Sequence, residues 1–466
     1  MKYAFAFALL LSAISAQAAN MTLSPPALAP AFANADGHPT TETPEKWWQS
    51  FNDPILSDVI ARALDQNMDI KMAATRVAAA ESIRRAAKAA GRPELDLGIT
   101  GARERVSGYT IGFSGPSTAS QISGAFEASW EIDLFGRIRN DARAAAADAS
   151  AASEDERAAR IEVLFKLSRA YLTLRGLERS LEIAKSNQAA QEQTALYTRR
   201  LVEAGALPIA DQHRADAQAA TTSAAIPALE LRRENMCQEL AALLAMTSDA
   251  VGVLLDARHE TSQAVTPLPA AGIPADLLRQ RPDVRAAESR FRGALYRVGV
   301  AEADLKPRLV LSGFIGSLVG SFSGADLSRS VTWLAAATGT APLFDGGRRR
   351  SVVALRKSEA QLAALAYQAA VLDAVKEVET SLASVSRDRE NAQALGIAAS
   401  EANHAAEQLR RAWRAGEIPM LDVLEADRAR FISEAALAES ETVERLDAAA
   451  LFAALGGAER TSSDAR

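Results

Sequence analysis

The sequence predicts a mixed α and β fold with an internal two-fold repeat: long antiparallel α-hairpins, each preceded by a β-hairpin. Three observations carry this prediction. The stretch Arg199-Arg200-Leu201-Val202-Glu203-Ala204-Gly205-Ala206-Leu207-Pro208, with Asp211 and Asp216 beyond it, returns as Arg410-Arg411-Ala412-Trp413-Arg414-Ala415-Gly416-Glu417-Ile418-Pro419 with Asp422 and Asp427, offset by 211 residues. Two tracts, Arg137 to Glu203 and Gly347 to Ala415, keep helical pattern with almost no breakers. From Gln121 to Asp133 the period changes to two. A duplicated unit this long is not a short solenoid repeat. One half cannot close its own surface, and two are needed.

Met1-Lys2-Tyr3, an apolar run from Ala4 to Ala13, and Ala16-Gln17-Ala18 follow the order of a cleavable secretory signal peptide, with cleavage expected after Ala18 or Ala19. The repeat then divides the chain into a signal peptide at 1–18, an N-terminal extended segment at 19–52, a first repeat at 53–260, a linker at 261–280, a second repeat at 281–455 and a tail at 456–466. Pro-rich sequence to about Thr43 leads into Trp47-Trp48-Gln49-Ser50-Phe51-Asn52-Asp53-Pro54. A short helix is expected from Pro54 to Gln66 and another from Ile70 to Gly91, which Gly91-Arg92-Pro93 ends.

The first β-hairpin is expected within 94–133. Ile122, Gly124, Phe126, Ala128, Trp130 and Ile132 are apolar or small, and Gln121, Ser123, Glu127, Ser129, Glu131 and Asp133 between them are polar, so one face is greasy and the other wet. The partner strand, Glu94 to Val106, sets Leu95, Leu97 and Ile99 against Asp96, Thr100 and Glu104, and the Gly- and Ser-rich stretch Ser107 to Ser120 reads as the loop. A second hairpin at 307–342 has strands near Arg308 to Val319 and Ser330 to Ala341 around a loop with Gly320, Gly324 and Asp326. Its alternation is less clean and does not fix a register.

The helical tracts after the hairpins have roughly 67 residues each, a length of about 100 Å at 1.5 Å per residue. Each ends at a Gly-x-[Leu/Ile]-Pro turn, where Gly takes the left-handed position and Pro begins the return helix. The α-hairpins are thus expected at 137–246 and 347–455, with a kink at Pro227 that Ala438 in the second half lacks.

Alanine supplies about a fifth of the residues and aromatics only 5%, a composition of closely packed long helices. The net charge of -6 and the absence of a basic and aromatic cluster disfavour nucleic-acid binding. Cys237 is the only cysteine, so no disulfide forms within one chain and no cysteine follows the signal to carry a lipid. His38, His213, His259 and His404 are dispersed, and no phosphate-binding loop, zinc spacing or nucleophile elbow appears. The expectation is a protein that is not an enzyme and holds no metal or cofactor.

After the signal no stretch reaches the ~18 apolar residues that a membrane-spanning helix needs. Strands are the alternative, and those expected here, of about 10 to 12 residues, have the length that crosses a bilayer when tilted. Four strands cannot close a cylinder, and an open edge in lipid leaves unpaired backbone groups costing several kcal/mol each. About eight strands close a barrel filled by its own side chains. Three chains would give twelve strands and room for a lumen, so the strands ask for a trimer.

With these residues in hand, the chain resembles the TolC-type outer-membrane factors, in their NodT-like branch of outer-membrane efflux channels. The resemblance rests on Trp47-Trp48 with Phe51 and Asp53-Pro54; Glu131-Ile132-Asp133-Leu134-Phe135-Gly136-Arg137; Leu277-Leu278-Arg279-Gln280-Arg281-Pro282-Asp283-Val284 with Ala287-Glu288; Pro342-Leu343-Phe344-Asp345-Gly346-Gly347-Arg348; Glu377-Val378-Glu379; and Leu455-Gly456-Gly457. It implies a homotrimer with a 12-stranded transmembrane β-barrel in the outer membrane, a periplasmic α-barrel, and a belt built from the segments Trp47 to Gln66, Leu277 to Asp283 and the region near Leu455. It also implies a periplasmic adaptor and an inner-membrane pump, typically of the resistance-nodulation-division type, as partners in a tripartite efflux system. The chain would be its passive exit duct for drugs or other toxic compounds.

On that resemblance, the turns formed by Gly205, Leu207 and Pro208 and by Gly416, Ile418 and Pro419 would lie at the periplasmic tip and dock the adaptor. Leu421 and Glu425 fall where relatives place an apolar and an acidic ring, and as i and i+4 they share a helix face. Asp211 and Asp422 complete the expected gate. Relatives with an ionic lock carry an Arg two residues after the second Gly, paired with the Asp corresponding to Asp211; this chain has Ile418 there. Arg214 and Arg414 are the candidate replacements, although a surface pair contributes only about 0–1 kcal/mol. The competing reading is a periplasmic adaptor or a structural coiled-coil protein of an envelope-spanning complex. An adaptor would have one helical hairpin and many short strands.

Overall fold

The computed structural model describes residues 32, 46–106, 117–256, 281–322 and 325–457. The expected signal peptide, most of the N-terminal segment, the 261–280 linker, the tail after Gly457, His38 and His259 lie outside them. The described chain is mostly helical with one antiparallel sheet. A 3-10 turn at Trp47–Phe51 precedes α1 (Pro54–Gln66), α2 (Met68–Ala89), β1 (Glu94–Val106), β2 (Ser117–Ile132), α3 (Arg137–Glu203), α4 (Ile209–Leu244) and α5 (Ser248–Asp256). Then come α6 (Pro282–Ala303), β3 (Arg308–Phe322), β4 (Ala325–Thr340), α7 (Arg348–Arg414) and α8 (Met420–Ala454). The helices α3 and α7 each have 67 residues. No single helix among the described residues is long and apolar enough to cross a membrane.

These elements form two compact units, each drawn from both halves of the sequence. The first contains the described residues of Arg76–Ser153 and Ala286–Gln368, and with them the sheet; the second contains the other described residues.

The sheet of the first unit runs in the order β1-β2-β3-β4, every neighbouring pair antiparallel. Side chains alternate faces along a strand, so cross-strand partners share a face. Leu97 lies opposite Phe126, Phe126 opposite Ile315, and Ile315 opposite Trp333. Leu95, Ile99, Ile122, Trp130, Leu311, Val319 and Val331 belong to the same face. All of these large apolar side chains are exposed in the single chain, Trp333 at 74%. At the junction of the two halves, a Cβ at Gly316 would stand 2.6 Å from Ala125 Cβ, so the backbones of β2 and β3 approach where only Gly fits.

The second unit has a buried core of Trp47, Leu56, Ile60, Leu167, Tyr171, Leu174, Leu240, Leu244 and Phe452. Trp47 stacks on Phe452 with ring centroids 5.3 Å apart. Asp53 starts α1 by accepting from the amides of Ile55 and Leu56 at 2.9 and 3.0 Å, with Pro54 as the first helical residue. Its other carboxylate oxygen accepts from the Tyr171 hydroxyl at 2.6 Å. Burial, together with that carboxylate, pushes the Tyr171 pKa up, so the phenol stays a donor.

A second anchor gathers three of the sequence motifs. Buried Arg281 donates from Nε and Nη2 to the two oxygens of Asp283 at 3.0 and 2.8 Å, from Nη2 to Glu377 at 2.8 Å, and from Nη1 to the Ala454 carbonyl at 2.8 Å. It therefore satisfies a free carbonyl at the end of α8 while tying α6 and α7 to it. Gly456, at φ +90°, lets the chain turn against the Arg281 backbone.

Several boundaries differ from the sequence reading. The strands have 13, 16, 15 and 16 residues rather than 10 to 12. Ser117 to Ser120 pair with β1, and Gly320 and Asp326 are ladder positions opposite Leu327 and Ser321, because backbone pairing extends beyond the apolar stretch. Gly324 and residues 107–116 lie outside the described residues. Pro208 and Pro419 stand just before α4 and α8 as extended N-cap residues, rather than inside them.

Candidate functional site

Both turns of the second unit are built alike. Gly205 has φ +75°, with its own amide donating to Val202 O at 2.9 Å and the Ala206 amide to Leu201 O at 2.8 Å. Gly416 has φ +77°, with the same bonds from Gly416 to Trp413 O at 2.9 Å and from Glu417 to Ala412 O at 3.0 Å. These are Schellman caps, which require a residue at ease in the left-handed region. The Asp211 and Asp422 amides then donate to Pro208 O and Pro419 O at 3.1 and 3.3 Å, opening the return helices.

Behind each turn an ion pair joins the long helix to its return helix at matching positions. Arg199 lies 3.2 Å from Asp216, and Arg410 lies 2.8 Å from Asp427. The two differ in burial: the side chain of Asp216 is 37% exposed and that of Asp427 only 2%. The second turn is also the more apolar. Met420, Val423 and Leu424 are buried together, with Trp413 and Ile418 packed against them. Tyr197 meets Trp413 edge-on at 5.3 Å, linking the ends of α3 and α7. In the first half Ile209 stands exposed where Met420 is buried.

The expected gate residues take up distinct positions. Leu421 and Glu425 are exposed one turn apart on α8, on the side away from buried Val423 and Leu424, and Glu425 has no ion pair among the described residues. Asp422 is half-buried. Asp211, also half-buried, pairs with Arg214 on its own helix at 3.2 Å rather than with the other turn. Leu207 is half-buried and Pro208 and Pro419 are exposed. Ile418, which stands in place of a lock Arg, joins the apolar cluster. The Arg410–Asp427 and Tyr197–Trp413 contacts escaped the sequence reading, although the repeat had placed both Arg-Arg and Ala-Asp pairs in matching frames.

A four-stranded sheet with one exposed apolar face, followed in each half by a 67-residue helix and a capped return, is an architecture of the outer membrane efflux protein class. The family model for outer membrane efflux proteins matches residues 59–246 and 273–457. The chain belongs to that family, in its NodT-like branch. It is 33% identical to nodulation protein T of Rhizobium leguminosarum bv. viciae over 84% of this chain and 80% of that one. It is 29% identical to outer membrane protein OprJ of Pseudomonas aeruginosa over 88% of this chain and 86% of the relative. The solved structure of the outer-membrane channel OprN superimposes with a TM-score of 0.82 at 28% identity, covering 94% of this chain and 99% of that one.

Proposed function

We propose that three copies of this chain form the exit duct of a tripartite efflux system. Their strands close into a 12-stranded barrel in the outer membrane, and their long α-hairpins form a periplasmic sleeve that receives cargo from an inner-membrane pump through an adaptor. The observation that carries this reading is the row Leu97, Phe126, Ile315 and Trp333, an apolar face spanning all four strands and exposed in the single chain. Such a face wants lipid, and the outer edges of β1 and β4 want partners that only another copy of the sheet supplies. The exposed leucines Leu355, Leu362 and Leu365 on α7, at heptad-like spacing, support contact with a neighbouring copy.

In this reading the capped turns at Gly205 and Gly416 are the adaptor-facing tips, and Leu421 and Glu425 line the aperture. Three Glu425 carboxylates in a ring attract cations and repel anions. The signal peptide at 1–18 directs export, and the barrel holds the membrane. Reconstitution in planar bilayers tests the assignment: cation-selective conductance is expected, weakened by Glu425→Gln. A protein that forms no conductance contradicts the duct; selectivity unchanged by the substitution removes Glu425 from the aperture.

A further inference from the structure

The buried stripe of α3 changes character along its length. Leu181, Ala184, Asn187, Gln191, Ala195 and Thr198 recur at steps of three and four, and all are buried. Leu181 and Ala184 pack with Ile226 of α4 in an apolar cluster. The next two positions hold primary amides instead, with Asn187 3% exposed and Gln191 1%. All four of their side-chain nitrogen and oxygen atoms lack a hydrogen-bond partner among the described residues. Polar neighbours are engaged elsewhere: Gln188 reaches across to Ser223 of α4 at 3.2 Å, and the Thr222 hydroxyl donates to Gln218 O of its own helix at 3.1 Å. The cross-helix pairs Lys185–Glu230 at 3.0 Å and Arg199–Asp216 at 3.2 Å bracket the two amides. A buried polar group without a partner is rare and costly, so two at successive stripe positions call for a ligand of their own. Their burial within one chain excludes a second copy as that ligand. The matched positions of α7, 211 residues on, are Ala398 and Ala402, and Asn391 of that helix is satisfied by Ser440 of α8 at 3.3 Å. The unpaired layer belongs to the first hairpin.

We propose that Asn187 and Gln191 form a hydrated joint, a site for ordered water inside the first hairpin at which α3 yields more readily than in the apolar stretch before it. Water is the ligand that fits, because it both donates and accepts, as the two amides require, and is small enough to sit between packed helices. Amide–water bonds re-form after a small shift. Interlocked apolar side chains must first unpack. From Gln191 to Gly205 is 14 residues, or about 21 Å of helix. In the channel reading the joint gives the first tip play, while the buried Arg410–Asp427 pair holds the second. The joint itself does not depend on that reading.

A high-resolution map of the unaltered protein should show water hydrogen-bonded to both amides. Hydrogen exchange in detergent reads the yielding: backbone amides at 188–195 should exchange about tenfold faster than those at 177–184. Asn187→Leu combined with Gln191→Leu fills the space with groups that ask for no water, and should slow exchange at 188–195 about tenfold while leaving 399–406 of α7 unchanged. A dry contact between the amides in the map overturns the joint. Equal exchange at 188–195 and 177–184 overturns it too, as does a folded double variant that exchanges like the unaltered protein. The first two measurements need no variant, so they remain decisive if the double variant fails to fold. None of the three reads conductance, so failure of the channel reading and failure of the joint are told apart.

Discussion

Phe126 of β2 stands directly opposite Ile315 of β3, and this pair joins the two halves of the sequence into one sheet. Through it the apolar face of the first hairpin continues into the second, with Leu97 and Trp333 at the ends of the row. Phe126→Lys should therefore cost about 2–4 kcal/mol if the row lies near the bilayer midplane. Folding into vesicles, followed by urea titration, measures this; a cost near zero would place the face in water.

Beside that junction, Gly316 admits no side chain, because an added Cβ would meet Ala125 Cβ at 2.6 Å and Gly124 O at 2.7 Å. Gly316→Val should force β2 and β3 apart and reduce the yield of assembled, heat-resistant oligomer. Gly339→Val, where an added Cβ meets nothing within 4 Å, is the control. Equal yields from the two would show that the close approach is not needed.

Removing Arg281 should loosen the anchor between the end of α8 and the start of α6. Arg281→Ala strands the Ala454 carbonyl, a loss of about 1–3 kcal/mol, while Asp283 and Glu377, 43% and 52% exposed, turn to water. Arg281→Lys retains the charge but not the fork, and should recover only part of the loss. Thermal denaturation in detergent orders the three proteins, and full recovery by lysine would contradict the clamp.

The two matched ion pairs provide an internal comparison. Arg199→Ala leaves Asp216 in water and should cost about 0–1 kcal/mol. Arg410→Ala leaves the buried Asp427 carboxylate unpaired and should cost about 3 kcal/mol or more. Hydrogen exchange at the ends of α7 and α8 reads the difference locally. Equal effects would mean that the second turn is no tighter than the first.

Burial, with the hydrogen bond and charge of Asp388, pushes the Asp447 pKa up to about 7 from a usual value near 3.8. A carboxyl that holds its proton more tightly when folded contributes stability fully present below about pH 4 and lost as the pH rises through about 7. Asp447→Asn should remove that part of the slope, which denaturation at pH 5 and pH 8 would detect. An unchanged slope would show that the two carboxyls do not share a proton.

Much of this architecture was legible because helices and turns are local. The 67-residue tracts lack breakers, and the Gly-x-[Leu/Ile]-Pro turns carry their own geometry in Gly205 and Gly416. In the first hairpin Glu127 and Phe126 face opposite ways, so alternation showed the faces. In the second, Phe314 and Leu334 put apolar residues on the wet face as well, and the period blurred; only the pairing of β3 with β2 fixed the register. At the turns, sequence showed that Arg410 and Asp427 recur but not that they meet. Ile418 read as a missing lock, whereas its apolar side chain fills the cluster beside Met420. Contacts between helices distant in sequence depend on packing that no local pattern records.

The central claim is that one sheet is too small to close and that three are pooled around a lumen. Native mass spectrometry of the protein released from lipid discs tests this most directly. The account predicts a complex of three chains that requires detergent or lipid to stay dispersed; a single chain stable in aqueous buffer without either would contradict it.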